Sequence, residues 1–354
     1  MLSIDIKKKL GAFSLDVSLK AEDGITALLG ASGCGKSVTL RCIAGILRPD
    51  SGRIELGGRV LFDSARGVNL SPRARRVGYL FQNYSLFPNM TVAQNIAVGA
   101  NARRGADKRK KADALIESMR LSGLEKHRPH QLSGGQRQRA ALARILASEP
   151  ECLLLDEPFS ALDDYLKWQL ELELADTLEG FGGTTLYVSH NRAEVYRLCE
   201  RVCVLTDGKS ERTRPVRELF AAPETLSACR ISGCKNFSRV RVTPGGEFDA
   251  LDWGVTLRAA ASPPDAAAFI GVRAHYIKPA DERGVNTFEC AVSRVTDDVF
   301  GTVVMLTPPG AIPGARAEFS QIRMEVPKSV WARLREPRSL LVKIEAEDIM
   351  PLTE

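Results

Sequence analysis

The chain has 354 residues, 44% of them hydrophobic and 26% charged, with a formal net charge of +6 at neutral pH. That length predicts two structural units, and the composition is that of an ordinary globular protein rather than a disordered or fibrous one. No stretch nears the ~18–20 continuous apolar residues of a membrane span, and eight scattered cysteines without a CxxC pair exclude a disulfide scaffold or zinc site.

The opening residues Met1-Leu2-Ser3-Ile4-Asp5-Ile6-Lys7 alternate like a strand and lack the parts of a secretory signal, so a cytoplasmic chain is expected. The basic clusters Lys7-Lys8-Lys9, Arg73/Arg75/Arg76 and Lys108-Arg109-Lys110-Lys111 are short and carry no interleaved aromatics. They read as solvated faces, and no nucleic-acid partner is expected.

Short β-rich runs alternate with helical patterns up to about residue 225, which predicts an α/β core on a mostly parallel sheet. Ile25-Thr26-Ala27-Leu28-Leu29 is the first apolar run, and Gly30-Ala31-Ser32-Gly33-Cys34-Gly35-Lys36-Ser37 follows it directly. A helix pattern then places Leu40, Ile43, Ala44 and Leu47 on one stripe. This is the GxxxxGK[ST] phosphate loop in its strand–loop–helix setting. Its glycines let backbone N–H groups close around phosphate oxygens, Lys36 supplies a point charge, and the Ser37 hydroxyl is a hard ligand for Mg²⁺.

Val77-Gly78-Tyr79-Leu80-Phe81 ends at Gln82, whose amide oxygen can reach the metal or the attacking water. Residues from about 86 to 149 read as a helical insert, with Ala112, Leu115, Ile116 and Met119 on one helix face. Cys152-Leu153-Leu154-Leu155 ends in adjacent carboxylates, Asp156 to hold Mg²⁺ and Glu157 to act as general base on water. Thr184-Thr185-Leu186-Tyr187-Val188 ends near His190, placed to donate a hydrogen bond to a γ-phosphate.

The segment from Arg212 to about Lys235 reads as the junction, with 226–235 as linker. Beyond it, runs such as 269–273, 288–292 and 340–344 alternate with Pro/Gly turns, as in a small β-barrel-like domain. No internal repeat of 20–50 residues is evident.

Leu132-Ser133-Gly134-Gly135-Gln136 separates this chain from other phosphate-loop proteins. With Gln82, Asp156-Glu157, Ser160-Ala161-Leu162-Asp163 and His190 in order, residues 1 to about 225 resemble the ABC ATPase family, specifically its transporter subunits. The resemblance implies a P-loop NTPase core with a helical subdomain over 1–225, followed by a small all-β, OB/TOBE-like regulatory domain over 236–354. It also implies that Ser133, Gly134, Gly135 and Gln136, opening a helix, face ATP held by a second copy, with Asp163 beside it. ATP and Mg²⁺ are thus the expected cofactor set, and a homodimer beneath a transmembrane permease the expected assembly.

Tyr84 to Val92 resemble the segment that receives the permease, and a solute-binding protein takes part indirectly, at the cytoplasmic face of the membrane. Phe13 is the candidate for the early-loop aromatic that the family stacks on adenine, but it lies unusually near the phosphate loop in sequence and is not assigned that role. Gln94 stands where the pattern usually has glutamate. The lead-in to Gly30 and the stretches 57–61 and 75–79 look like the molybdate branch of bacterial importers. Molybdate or a related oxyanion is therefore the expected cargo; the alternatives are sulfate, ferric iron or polyamine import, or a soluble ABC ATPase outside transport.

Overall fold

A computed structural model describes all residues except 103, 161–163, 262–265, 312–316 and 336. The chain divides into two compact units, Met1–Arg217 and Glu218–Glu354. The stretch read from sequence as a linker instead carries the helix Leu226–Ile231, capped by Thr225, whose hydroxyl accepts from the Ala228 N–H. Cys229 and Cys234 there form a small apolar cluster with Phe237, Met350 and Leu352.

In the first unit five parallel strands lie in the order Arg201–Thr206, Gly24–Leu29, Thr184–Ser189, Cys152–Asp156 and Val77–Leu80. The continuous apolar runs are buried on both faces, as a sheet covered by helices requires. Beside them the same sheet turns antiparallel through Phe13–Ala21, Leu2–Leu10, Ser51–Leu56 and Arg59–Asp63. There the alternation seen in sequence is alternation of burial: Leu2, Ile4 and Ile6 point into the core with Leu15, Val17 and Leu19 opposite.

The helix after the phosphate loop runs Lys36–Ala44 and stops at Gly45, whose φ of +79° a side chain would strain. Leu47, expected on the helix stripe, lies past this stop and still packs on the core. Arg73 and Arg76 are exposed, as a solvated cluster requires, but Arg75 departs from that reading because it is fully buried. Its Nη1 donates to the carbonyls of Cys42 and Ile43 at 2.8 and 2.7 Å, its Nε to Leu70 at 3.0 Å, and its Nη2 to Asn69 Oδ1 at 2.9 Å. A cation at the C-terminus of the phosphate-loop helix is where the helix dipole favours it, although burial lowers its affinity for the proton.

Helices Val92–Gly99, Gly105–Ser118 and Gly134–Leu146 occupy the expected insert. Ala112, Ile116 and Met119 are buried as the spacing predicted. All eight cysteines are buried free thiols. Burial pushes Cys42 up to about 11 and Cys152 and Cys290 up to about 12, so these thiols pack as small apolar groups.

The described residues of the second unit form two five-stranded antiparallel sheets. Phe248, Trp253 and Ile270 of one side meet Phe288, Val304, Ile322 and Val342 of the other in a common core. Two strand–3₁₀–strand crossovers link the sheets: Phe269–Val272 through Ala274–Tyr276 to Ile277–Pro279, and Ser339–Ile344 through Ala346–Asp348 to Met350–Leu352. Their strands pair reciprocally, Gly271 with Met350 and Ile277 with Ile344. Val272-Arg273-Ala274-His275-Tyr276-Ile277-Lys278-Pro279 and Ile344-Glu345-Ala346-Glu347-Asp348-Ile349-Met350-Pro351 thus share an apolar-x-Ala-x-x-Ile-x-Pro pattern, a repeat of eight residues, far below the 20–50 of a repeat architecture.

Candidate nucleotide site

Four of the five parallel strands of the first unit, all but Arg201–Thr206, deliver candidate residues at their carboxyl ends, because parallel strands put all their carboxyl ends on one edge. The phosphate loop leaves Gly24–Leu29 at that edge. Gly35 caps the following helix with φ +109°, and a Cβ there would lie 2.6 Å from Leu15 Cδ1 and 2.9 Å from Phe13 Cζ. Gly30 is pressed against the Leu205 carbonyl, which a Cβ would approach to 2.3 Å. Glycine at these two positions is therefore required by backbone shape and by close packing. The same geometry sets the Phe13 ring against Gly35.

Lys36 is buried, and its ammonium donates to the carbonyls of Gly30 and Ala31, both at 2.8 Å. The loop thus holds the cation inside its own curve, with Cys34 Sγ 4.0 Å away. Burial raises the Cys34 thiol, with Lys36 opposing it, so the side chain is a packing group.

Ser37 donates its hydroxyl to Asp156 Oδ1 at 2.9 Å, and Tyr79 donates to Asp156 Oδ2 at 2.8 Å. Burial and the neighbouring Asp156 charge push the Tyr79 phenol well up, which keeps it a donor. Tyr79 orients the carboxylate, yet from sequence it was only one letter of an apolar run.

Glu157 adopts φ +47°, a left-handed conformation uncommon for a residue with a Cβ, and one found concentrated at functional sites. Its N–H donates to the Val188 carbonyl at 3.0 Å, while its own carbonyl accepts from Ser160 N–H and Oγ at 3.2 and 3.0 Å. This turn aims the carboxylate at His190, whose Nδ1 lies 3.1 Å from Glu157 Oε1. A neutral ring that donates through Nδ1 has no proton on Nε2.

Ser133 caps the helix Gly134–Leu146 in a reciprocal box: Gln136 N–H donates to Ser133 Oγ at 3.3 Å and Ser133 N–H to Gln136 Oε1 at 2.9 Å. Among the described residues the Ser133 hydroxyl donates to no protein group, so its proton is available to a ligand. A Cβ on Gly135 would meet Leu170 at 2.8 Å, so that glycine sets how closely the helix packs. Among the described residues, no hydrogen bond joins this signature to the phosphate loop of the same chain.

The structure therefore brings together Lys36 with its loop, Ser37 with Asp156, and Glu157 with His190. Gln82 stands exposed two residues past its strand, with no side-chain hydrogen bond among the described residues. Asp163, with Ala161 and Leu162, lies outside the described residues.

Of the aromatics near the expected permease-facing segment, Phe87 is exposed but Tyr84 is buried, donating to the Pro158 carbonyl at 3.1 Å. Gln94 builds a capping box with Thr91, so the amide does here what a carboxylate would do. The fully buried Asn95, unnoticed in the sequence, accepts from Phe87 N–H at 2.8 Å and donates to the carbonyls of Phe87, Met90 and Thr91. Its signal was weak: a polar residue inside an apolar helix face.

The ABC transporter family model matches residues 14–160. The molybdenum import ATP-binding protein ModC of Paramagnetospirillum magneticum is 40% identical over 63% of this chain and 61% of its own length. The ModC protein of Rhodospirillum rubrum is 41% identical over 63% of this chain and 60% of its own. The chain thus spans about three fifths of these ModC relatives. The sulfate/thiosulfate import ATP-binding protein CysA of Caulobacter vibrioides is 39% identical over 92% of this chain and 94% of its own length. Among solved structures, an ATP-binding cassette captured as a dimer bound to ADP and Pi is 29% identical, with a TM-score of 0.52, over 61% of this chain and 99% of its own. The cbiO1 protein of Clostridium perfringens, part of an ABC transporter complex, is 27% identical with a TM-score of 0.54, over 62% of this chain and 90% of its own.

Proposed function

Since this chain belongs to the ABC transporter ATP-binding family, we propose that it is the ATP-hydrolysing motor of an importer for a tetrahedral oxyanion, molybdate first. The observation that carries the reading is the carboxyl edge of the parallel sheet. There a phosphate loop, a Ser37–Asp156 pair at 2.9 Å and a Glu157–His190 pair at 3.1 Å are set side by side on neighbouring strands.

The phosphates bind to the loop N–H groups and the N-terminus of Lys36–Ala44, and Lys36 exchanges its two carbonyls for phosphate oxygens. Ser37 and Asp156 form a hard-oxygen pair that fits Mg²⁺, with the Gln82 amide free to join them. When bound, that ion offsets charge on the β- and γ-phosphate oxygens. Glu157 is the general base: its carboxylate orients the attacking water and takes its proton. His190 steadies Glu157 through Nδ1, and donates to the γ-phosphate through Nε2 as the imidazolium or after releasing Glu157.

Ser133, Gly134, Gly135 and Gln136 supply the second half of a site on another copy, with Asp163 beside them. A signature without a hydrogen bond to its own phosphate loop, and a similar cassette solved as a dimer, both support two half-sites joined in a homodimer. The segment from Tyr84 to Val92 receives a transmembrane permease at the cytoplasmic face of the membrane. Arg144 supports it by donating to the carbonyls of Ser85 and Tyr84 at 2.7 and 3.2 Å, while lying 5.4 Å over the Phe87 ring. No helix of the described residues is long and apolar enough to cross a membrane.

Similarity to ModC proteins supports molybdate. A second reading, sulfate or thiosulfate, is favoured by the CysA similarity, which extends through the second unit. The test is ATPase activity of the subunit reconstituted with its permease and solute-binding protein, with molybdate against sulfate. Permease-dependent stimulation by molybdate is expected; stimulation by sulfate alone moves the cargo, and activity indifferent to any permease removes the transport role.

A further inference from the structure

Glu194 lies in the first turn of the helix Arg192–Leu198 and is 3% exposed. Its Oε2 accepts from the Tyr187 hydroxyl at 2.9 Å and from the Ser189 hydroxyl at 2.7 Å, and its Oε1 pairs with Lys167 Nζ at 2.5 Å. Burial, with Glu194 beside it, keeps the Tyr187 phenol protonated. A buried carboxylate is costly unless fully partnered; three donors and the helix N-terminus meet that requirement here and leave it little freedom to move.

Ser189 Oγ, which donates to Glu194, also accepts from the Asn191 N–H at 2.9 Å. One hydroxyl therefore joins the two residues that flank His190 to a fixed carboxylate. The Asn191 side chain closes the turn by accepting from Ala193 N–H at 2.9 Å. Lys167 comes from the helix Asp164–Phe181, and a second ion pair ties the same two helices, Arg197 donating to Glu171 Oε2 at 2.8 and 2.6 Å.

We infer that Glu194 is a positioning residue for His190: its carboxylate fixes the Ser189–Asn191 turn and fastens it, through Lys167, to the helix Asp164–Phe181. The inference rests on the reading of His190 as a group of the ATP site. A turn loosened at Ser189 lets the imidazole drift from Glu157, and misplacement of that kind lowers turnover more than binding.

The test is a double-mutant cycle of Glu194→Gln and His190→Ala on the full chain, reading kcat and KM for ATP with thermal melts as the fold control. Glu194→Gln is expected to lower kcat about tenfold with KM changed less than about threefold, and to add less than about twofold to the loss already caused by His190→Ala. A loss that multiplies fully in the His190→Ala background overturns the inference, as does a raised KM with unchanged kcat. Where Glu194→Gln does not fold, the same cycle is read with Lys167→Met, which leaves both hydroxyl donors on Glu194. Wild-type chain without ATPase activity, or His190→Ala with full turnover, overturns the underlying reading instead, and is distinguished by the single variants alone.

Discussion

Replacing Arg75 by methionine keeps most of the side-chain volume and removes the guanidinium. Three backbone carbonyls and one side-chain amide lose a donor. The Cys42 carbonyl still accepts from Gly45 N–H at 3.2 Å, so the Ile43 and Leu70 carbonyls bear most of the loss. Each buried carbonyl left without a partner costs about 1–3 kcal/mol, partly offset because a buried cation no longer needs to be desolvated. The expected net destabilisation is about 3 kcal/mol, equivalent to a fall of about 6–12 °C in Tm for a unit of this size.

Calorimetry with and without ATP is the assay. Arg75→Lys is expected to recover only part of the loss, since one ammonium cannot reproduce the fork that reaches four oxygens. A Tm for Arg75→Met within 2 °C of wild type would refute the reasoning, since it would mean that these carbonyls find water or other donors at little cost.

Two further outcomes concern the reaction. Glu157→Gln retains an oxygen that can accept from His190 Nδ1 but loses the basic carboxylate, so kcat should fall at least about 100-fold while ATP still binds, trapping a nucleotide-bound dimer on size-exclusion chromatography; undiminished steady-state turnover would remove Glu157 as the base. Ser133→Arg deletes the cap of Gly134–Leu146, costing about 1 kcal/mol, and places a bulky cation where another copy's nucleotide must close. ATP binding to the single subunit should persist while the ATP-dependent dimer disappears, and an unchanged dimer would contradict the role given to the signature.

The candidate site was largely legible because its chemistry is local in sequence. A strand–loop–helix with GxxxxGK[ST], two acids ending an apolar strand and a serine three residues before a glutamine each carry their geometry in their spacing, and the structure finds each on the expected element. Periodicity likewise gave the parallel strands, the buried face of the helix Gly105–Ser118 and the β-rich second unit.

Other features depend on partners far along the chain. Arg75 read as one of three solvated arginines, because nothing nearby in sequence shows that helix-end carbonyls more than thirty residues earlier need a donor. Glu194 and Tyr79 were invisible, and Asn95 nearly so, for the same reason: a polar side chain acquires its role only when the packed core has removed water from it and left one set of partners in reach. The left-handed backbone of Glu157 belongs to this group as well, since surrounding contacts rather than its own preference hold it there. Sequence alone determined which groups are available and which elements carry them, because propensity and spacing act over a few residues; only the tertiary structure decided which buried groups they face, because that depends on how distant elements exclude water together.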